Sequence, residues 1–440
     1  MPHMGEGWGE GLKIMYHLIT IFLLIIFATL AWRDFRLAVF VLLASLPAYL
    51  LRFEIFNIPT TLLEIMIGII TLVWLINPKV SPFKNSKEIL AALKQWWLPF
   101  SLLLIAGIIS VVISPDKMAA LGIFKAYLVE PIILFLIIRT TLKFFDDAEV
   151  ALMFLGLGGL VVAAFAIFQH FTGLAIPIPW DIENRATGIF PYPNAVGLYL
   201  GPIIILGLGA LWRCLSAEFY LRAWFWVITI SVSTMAIIFS QTEAAWIALP
   251  VSLIVVGLFF ARSRWFSILL SIIGIIIVLS VPTIKEKILL QDYSGQVRIK
   301  QWEETFNLLK ENPLFGAGLS GYPTTLKPYH THQEIEIFQY PHNIILNIWS
   351  ELGLLGLVAF LAFFWQTAKL FKTVKKNQAQ FFWLGVICFT ALIETAIHGL
   401  VDVPFFKNDL ALLTALILAL LSWSATGPYA HKNLGQSQKQ

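Results

Sequence analysis

Charge is what this 440-residue chain has least of: Asp, Glu, Lys and Arg make up 13% of it, against about 25% in ordinary soluble domains. Hydrophobic residues reach 58% and the mean hydropathy is +0.81. A water-soluble fold could not cover that much apolar surface with so few charges. Cysteine is nearly absent. Cys214 and Cys388 fall at or within apolar runs, which excludes a disulfide framework and a CxxC metal site. The net charge of +4 is no sign of a nucleic-acid partner, because the basic residues are scattered through short loops rather than gathered in a patch. Residues 1–13 are glycine-rich and acidic, without the basic region and small-residue cleavage site of a signal peptide. No ten-residue alternation of the kind a membrane barrel needs is present.

In their place are apolar runs of roughly spanning length, at about 20 residues per crossing. They lie near 14–32, 37–51, 62–76, 96–113, 118–138, 150–171, 193–212, 223–239, 244–261, 265–282, 343–365, 381–399 and 409–424. The fold class is an all-α polytopic membrane protein of twelve or thirteen transmembrane helices, the first hairpin around Trp32–Arg36 deciding the count. Four parts follow: N-terminal helices (1–171), central helices with an outer loop (172–282), a long loop (283–342), and C-terminal helices with a tail (343–440).

Lysine and arginine set the orientation. Alternate loops beginning at Arg33/Arg36, with Lys432 and Lys439 on the tail, hold 18 basic residues against 11 in the opposite set. The positive-inside rule places the richer set in the cytoplasm. The loops at 172–192, 240–243 and 283–342 then face outward. Within the longest, Gln296–Glu311 reads as an amphipathic helix, with Trp302, Phe306 and Leu309 at helical spacing and Asn312-Pro313 as its stop.

Chemistry-bearing residues concentrate in these outer loops. Arg185, in R-A-T-G-I-F-P-Y-P-N, is either a surface arginine near headgroup phosphates or an anion ligand at a bundle mouth, where a guanidinium fork suits phosphate oxygens. Pro193-Asn194 begins the next helix and leaves N–H groups pointing outward. Arg298 lies one turn before Trp302 on the same face; it either solvates the loop or joins Arg185 in holding a diphosphate. His330, His332, Glu334 and Glu336 match no standard zinc spacing. His342, in Pro341-His342-Asn343, sits where the loop re-enters the membrane and is placed for general-base work, or else caps the helix together with Asn343. Gly316-Ala317-Gly318 is a turn and not a phosphate loop, since no GK[ST] follows. Lys125, Glu64, Glu130, Glu351 and Glu394 are ionisable groups within spans. Such groups usually face a cavity or a partner. Lys125 and Glu130, five apart, do not share a face and are not paired. His398 and Asp402, in H-G-L-V-D, fall near the same outer mouth.

The ordered set of R-x-x-G-x-F-x-x-P-N (Arg185–Asn194), R-x-x-x-W (Arg298–Trp302), N-P-L-F-G-A-G (Asn312–Gly318) and H-N-x-x-L-x-x-x-x-E-x-G-x-x-G (His342–Gly356) resembles the O-antigen ligase family, which also includes similar O-antigen polymerases and protein O-oligosaccharyltransferases. The resemblance is carried by 185–356; the first six spans match in hydropathy only. It implies a GT-C-like fold and an inverting, metal-independent glycosyltransferase with no cofactor. Such an enzyme moves a glycan from an undecaprenyl diphosphate donor to a lipid, glycan or protein hydroxyl, on the outer side of a bacterium's cytoplasmic membrane. Carried onto this chain, Arg185 and Arg298 bind the diphosphate and stabilise its departing charge, and His342 activates the acceptor hydroxyl or helps hold the donor. Tyr192, Asn194, Trp302, Asn343 and His398 are the candidate substrate-binding residues. One departure stands out: where members often show Ser-Arg-Gly before the ninth span, this chain reads Ser240-Gln241-Thr242-Glu243, which removes one cation. A carrier of lipid-linked sugars, the rival class, predicts paired halves and broken helices; no pseudo-repeat is evident.

Overall fold

Hydrocarbon offers no partner to an exposed backbone N–H, so each apolar run satisfies its backbone internally as a helix. The computed structural model describes residues 10–426 except 56–57 and 378–380; residues 1–9 of the glycine-rich start and the tail lysines Lys432 and Lys439 lie outside the described residues. Among these, eight helices are long and apolar enough to cross a membrane and five further apolar helices are shorter. Their order is that of the thirteen apolar runs, so the polytopic all-α class holds.

The N-terminal helices are α1 (Glu10–Arg33), α2 (Phe35–Ala44), α3 (Leu62–Ile76), α4 (Ser86–Ile113), α5 (Lys117–Ile123), α6 (Glu130–Thr141) and α7 (Phe145–Thr172). Asp34 alone separates α1 from α2 and caps α2 through the Leu37 amide. The ten residues of α2 rise about 15 Å, and the 3-10 turn Leu46–Leu50 adds about 10 Å, so together they approach one crossing. A short antiparallel hairpin, β1 (Arg52–Ile55) and β2 (Ile58–Thr61), returns the chain to α3.

Between α5 and α6 the chain makes a π-turn, Phe124–Val129. This corrects the expectation that Lys125 and Glu130 are unrelated. Widening the turn to i→i+5 bonding puts residues five apart on one face, and Lys125 Nζ lies 4.0 Å from Glu130 and 2.8 Å from Glu64.

The central and C-terminal helices are α8 (Asn194–Ser216), α9 (Tyr220–Phe239), α10 (Glu243–Gly257), α11 (Ala261–Ser280), then α12 (Pro282–Ile288), α13 (Tyr293–Glu311) and α14 (Tyr322–Leu326) in the long loop. They end with α15 (Ile344–Asn377), α16 (Phe382–His398) and α17 (Asn408–Thr426). α8 and α17 are the most enclosed spans and α11 the least. α8 packs on α7, α9 and α16, while α17 packs on α6, α15 and α16.

Connections gather at two ends, as alternate crossings require. One end joins Arg36 to Asp147 (2.8 Å), Arg222 to Glu149 (2.8 Å), Lys143 to Asn85 (3.1 Å) and Lys375 to the Phe259 carbonyl (2.7 Å). The other joins the loops around Arg185, Glu243, Arg298, His342 and 399–407.

The amphipathic helix of the long loop, α13, begins three residues before its apolar periodicity does, because Asp292 caps it through the Gly295 amide. Its stop at Asn312 falls where Asn312-Pro313 predicts. The following N-P-L-F-G-A-G segment docks on a break in α15. Gly353 there has φ 68° and ψ −169°, and the Leu354 amide, freed from its helix, donates to the Leu314 carbonyl (3.0 Å). The Ala317 amide donates to the Ser350 carbonyl (2.6 Å), and the Ser320 amide to the Glu351 carboxylate (2.7 Å). Gly316 and Gly353 are thus explained by close backbone approach: a Cβ on Gly316 would stand 2.4 Å from the Trp349 and Ser350 carbonyls, and one on Gly353 2.4 Å from that of Leu314. Gly353→Ala is expected to cost about 2 kcal/mol or more, read as a lower unfolding temperature in detergent. An unchanged transition would mean that the loop does not depend on this break.

Candidate functional site

The residues 399–407 between α16 and α17 organise the polar end of the bundle. Asp402 is 2% exposed. Its Oδ2 accepts from the Asn194 side-chain amide at the start of α8 (3.2 Å), and its Oδ1 accepts from the Val403 amide (2.8 Å) and lies 3.5 Å from His342 Nδ1. Burial alone would raise this carboxyl; the His342 imidazole, with help from His398 and the Val403 amide, carries it down to about 2 instead. His342 has φ 45°, a left-handed conformation that a non-glycine residue holds only when its surroundings impose it. Those surroundings are visible: Gln301 and Trp302 on α13 donate to the Tyr340 and Pro341 carbonyls (both 2.8 Å). The next residue, Asn343, caps α15 through the Ile345 and Leu346 amides and donates to the Leu400 carbonyl (2.9 Å). Its side chain is therefore engaged in holding the turn.

Both arginines are anchored by backbone carbonyls. Arg298 Nε donates to the Val401 carbonyl (3.2 Å) and its Nη1 to the Ser294 hydroxyl (2.8 Å). Arg185 Nε and Nη2 donate to the Ser240 and Gln241 carbonyls (both 3.3 Å), and its guanidinium lies 5.1 Å from the Trp180 ring centroid. Burial lowers the pKa of Arg185, the Glu183 and Glu243 carboxylates oppose this, and Arg298 adds to the lowering. The two guanidiniums are thus electrostatic neighbours although 113 positions separate them in sequence. Glu243, at the departure from Ser-Arg-Gly, opens α10 and pairs with Lys287, which brings a cation from α12 to the position whose arginine is missing.

The remaining expected residues are placed as follows. Tyr192 donates to or accepts from Tyr340 through their hydroxyls (3.2 Å). Trp302, half-buried, spends its indole N–H on the His342 turn. His398 is 1% exposed, lies 3.7 Å from Glu394, and contributes to holding the Asp402 carboxyl low. His330 and the amides of Thr331 and His332 all turn to Glu304 (3.1, 2.8 and 2.8 Å). Burial would raise the Glu304 carboxyl, and these hydrogen bonds outweigh it and hold it low. Glu334 pairs with Lys300 (2.7 Å). Among the described residues no group of three or more His, Cys, Asp or Glu side chains is arranged to hold a metal.

Three residues at this end went unread in the sequence. Tyr340 carries the hydroxyl contact to Tyr192, Gln301 props the turn before His342, and Lys407 places its ammonium 3.9 Å from the Tyr192 ring centroid. The local sign of Lys407 was a basic residue in P-F-F-K-N-D immediately before an apolar run.

A multi-pass helical membrane protein with an imidazole–carboxylate pair and two anchored arginines at one end is the class this architecture defines. Residues 228–361 match the family model of the O-antigen ligase domain. The match covers the Arg298, N-P-L-F-G-A-G and His342 motifs but not the Arg185 motif, so over that part the chain is similar to O-antigen ligases. No curated protein matches the chain.

Proposed function

We propose that the protein transfers a glycan from an undecaprenyl diphosphate donor to an acceptor hydroxyl at the outer face of the cytoplasmic membrane, as an O-antigen ligase does. The observation that carries this is the 399–407 loop. Through Val401 and Asp402 it fixes both Arg298 and His342, so a cation and a base are positioned by one short segment. With Nδ1 turned to Asp402, the imidazole offers Nε2 to the acceptor hydroxyl. The acceptor oxygen loses its proton to Nε2 and attacks the anomeric carbon, while the bond from that carbon to the diphosphate oxygen breaks. The charge that develops on the diphosphate falls to Arg185 and Arg298, whose guanidiniums are already oriented before the reaction. A single displacement of this kind inverts the anomeric centre. The excess of lysine and arginine at the opposite end supports an extracytoplasmic site.

The test is transfer by the purified chain in detergent, given a lipid-diphosphate oligosaccharide and candidate acceptors, with and without EDTA. Release of undecaprenyl diphosphate coupled to acceptor glycosylation, unaffected by EDTA, is the expected result. Binding of donor without turnover on lipid, glycan or protein acceptors would move the protein to the carrier class.

A further inference from the structure

The last turns of α16 carry two ionisable side chains that the reaction above does not use. Glu394 and His398 are both fully buried. Among the described residues, neither carboxylate oxygen of Glu394 and neither ring nitrogen of His398 has a hydrogen-bond partner. They face one another across a single helical turn, with Oε1 3.7 Å from Nδ1. α8 passes so close that a Cβ on Gly201 would stand 2.4 Å from the same Oε1, which leaves the carboxylate little room on that side. Burying two such groups at the end of a span is costly. Apolar side chains of similar volume are often as stable as a buried ion pair or more so, so packing by itself gives no reason for this one.

The position of His398 supplies one. It stands at the root of the 399–407 loop, where its carbonyl accepts from the Val401 amide (3.2 Å). The neighbouring Gly399 carbonyl accepts from the Ile344 amide at the start of α15 (2.7 Å). The next three residues carry the contacts on which the site depends. The Leu400 carbonyl takes Asn343 (2.9 Å), the Val401 carbonyl takes Arg298 Nε (3.2 Å), and Asp402 lies 3.5 Å from His342. The His398 side chain reaches the same segment through its charge. Burial would raise the Asp402 carboxyl, and His398 adds to the pull of His342 that brings it down. The imidazole that Glu394 faces is therefore tied to the carboxylate that His342 faces.

We infer that Glu394 and His398 are a positioning pair for the transfer: Glu394 holds the His398 imidazole, and His398 acts through Asp402 to keep His342 in its working orientation. His398 touches neither donor nor acceptor, in place of the substrate-binding part expected of it. The inference deepens the proposed function and rests on it for the reaction that is being positioned.

Steady-state transfer by the full chain, with a lipid-diphosphate oligosaccharide as donor, tests this. Glu394→Gln and His398→Gln are each expected to lower kcat about 10- to 100-fold with little change in the donor KM, as when a reacting group is held out of place. Leaving one partner of a buried pair alone can also unfold a protein, so a second variant separates the two effects. Glu394→Met combined with His398→Leu fills the space with apolar side chains; it is expected to unfold no lower than the parent and still to lose kcat. Parent kcat in that folded double variant would overturn the inference, since the pair would then be a matter of packing. A raised donor KM at unchanged kcat in His398→Gln would overturn it too, by making His398 a binding residue. Combined with Asp402→Asn, His398→Gln should add little further loss, because it acts through that carboxylate; losses that multiply in full would place its action elsewhere. Hydrogen exchange of 399–407 reads the positioning apart from transfer, and it is expected to quicken in Glu394→Gln while the other spans exchange as in the parent. A parent that transfers no glycan but shows this change loses the enzymatic reading and keeps the pair. Transfer with kcat and exchange both unchanged in Glu394→Gln loses the pair and keeps the enzyme.

Discussion

His342→Ala is expected to slow transfer about 10²- to 10⁴-fold, the range of a lost general base, with the protein still inserted and folded. Asp402→Asn is the sharper experiment. It keeps the shape of the side chain but leaves one acceptor oxygen where Asp402 offers two, to the Asn194 and Val403 amides, and it removes the charge facing His342 Nδ1 across 3.5 Å. Asp402 titrates at about 2 against an ordinary 3.8. A depressed carboxyl contributes stability that is complete above its unfolded value and is lost only as pH falls through the folded one. From about pH 4 upward the carboxylate is therefore constant, and Asp402 itself adds no limb to the kcat/KM profile there. Without the carboxylate the imidazole loses the partner that turns Nδ1 away from the acceptor, so kcat is expected to fall in Asp402→Asn. An unchanged kcat would assign Asp402 a purely structural part in holding the 399–407 loop.

The arginines should show a comparably large effect with a different signature. Arg298→Ala and Arg185→Ala are each expected to lower kcat about 10²- to 10³-fold, as when a preorganised donor to a developing charge is lost. The double variant should fall well short of the product of the two losses, because both groups act on one leaving group and each feels the charge of the other. Arg298→Lys should recover little. Arg298 is held by Nε on the Val401 carbonyl and Nη1 on the Ser294 hydroxyl, and an ammonium cannot grip both anchors and still present a donor to the ligand. Steady-state kinetics with saturating acceptor, alongside unfolding temperatures, read this directly. Full activity in Arg298→Lys would mean that net charge and not the anchored fork is what the site requires.

How far the sequence reached differs between elements. The thirteen apolar runs were legible as helices because hydropathy along a run is local; eight of them are long and apolar enough to cross a membrane, among the described residues. The end of α13 was legible because Asn312-Pro313 stops a helix locally, but its start was set by the Asp292 cap, which the apolar spacing did not carry. The Lys125–Glu130 contact was misread, since an α-helical repeat was assumed where the chain adopts a π-turn. The motif residues Arg185, Arg298 and His342 were found as isolated residues in loops between apolar runs, and the glycines of N-P-L-F-G-A-G only as turn formers.

By itself, then, the sequence determined the helical polytopic class, the alternation of loop ends and the residue types available at one of them. These depend on local composition: hydropathy along a run, charge in a loop, a proline or glycine at a stop. Only the tertiary structure decided that Asp402 meets both His342 and Asn194, that Arg298 is anchored on Val401, that a break at Gly353 receives Leu314, and that Lys407 stands over Tyr192. Each of those contacts joins residues dozens to hundreds of positions apart. Such pairings are set by how α8, α13, α15, α16 and α17 pack against one another, and no local pattern in a single chain encodes that packing.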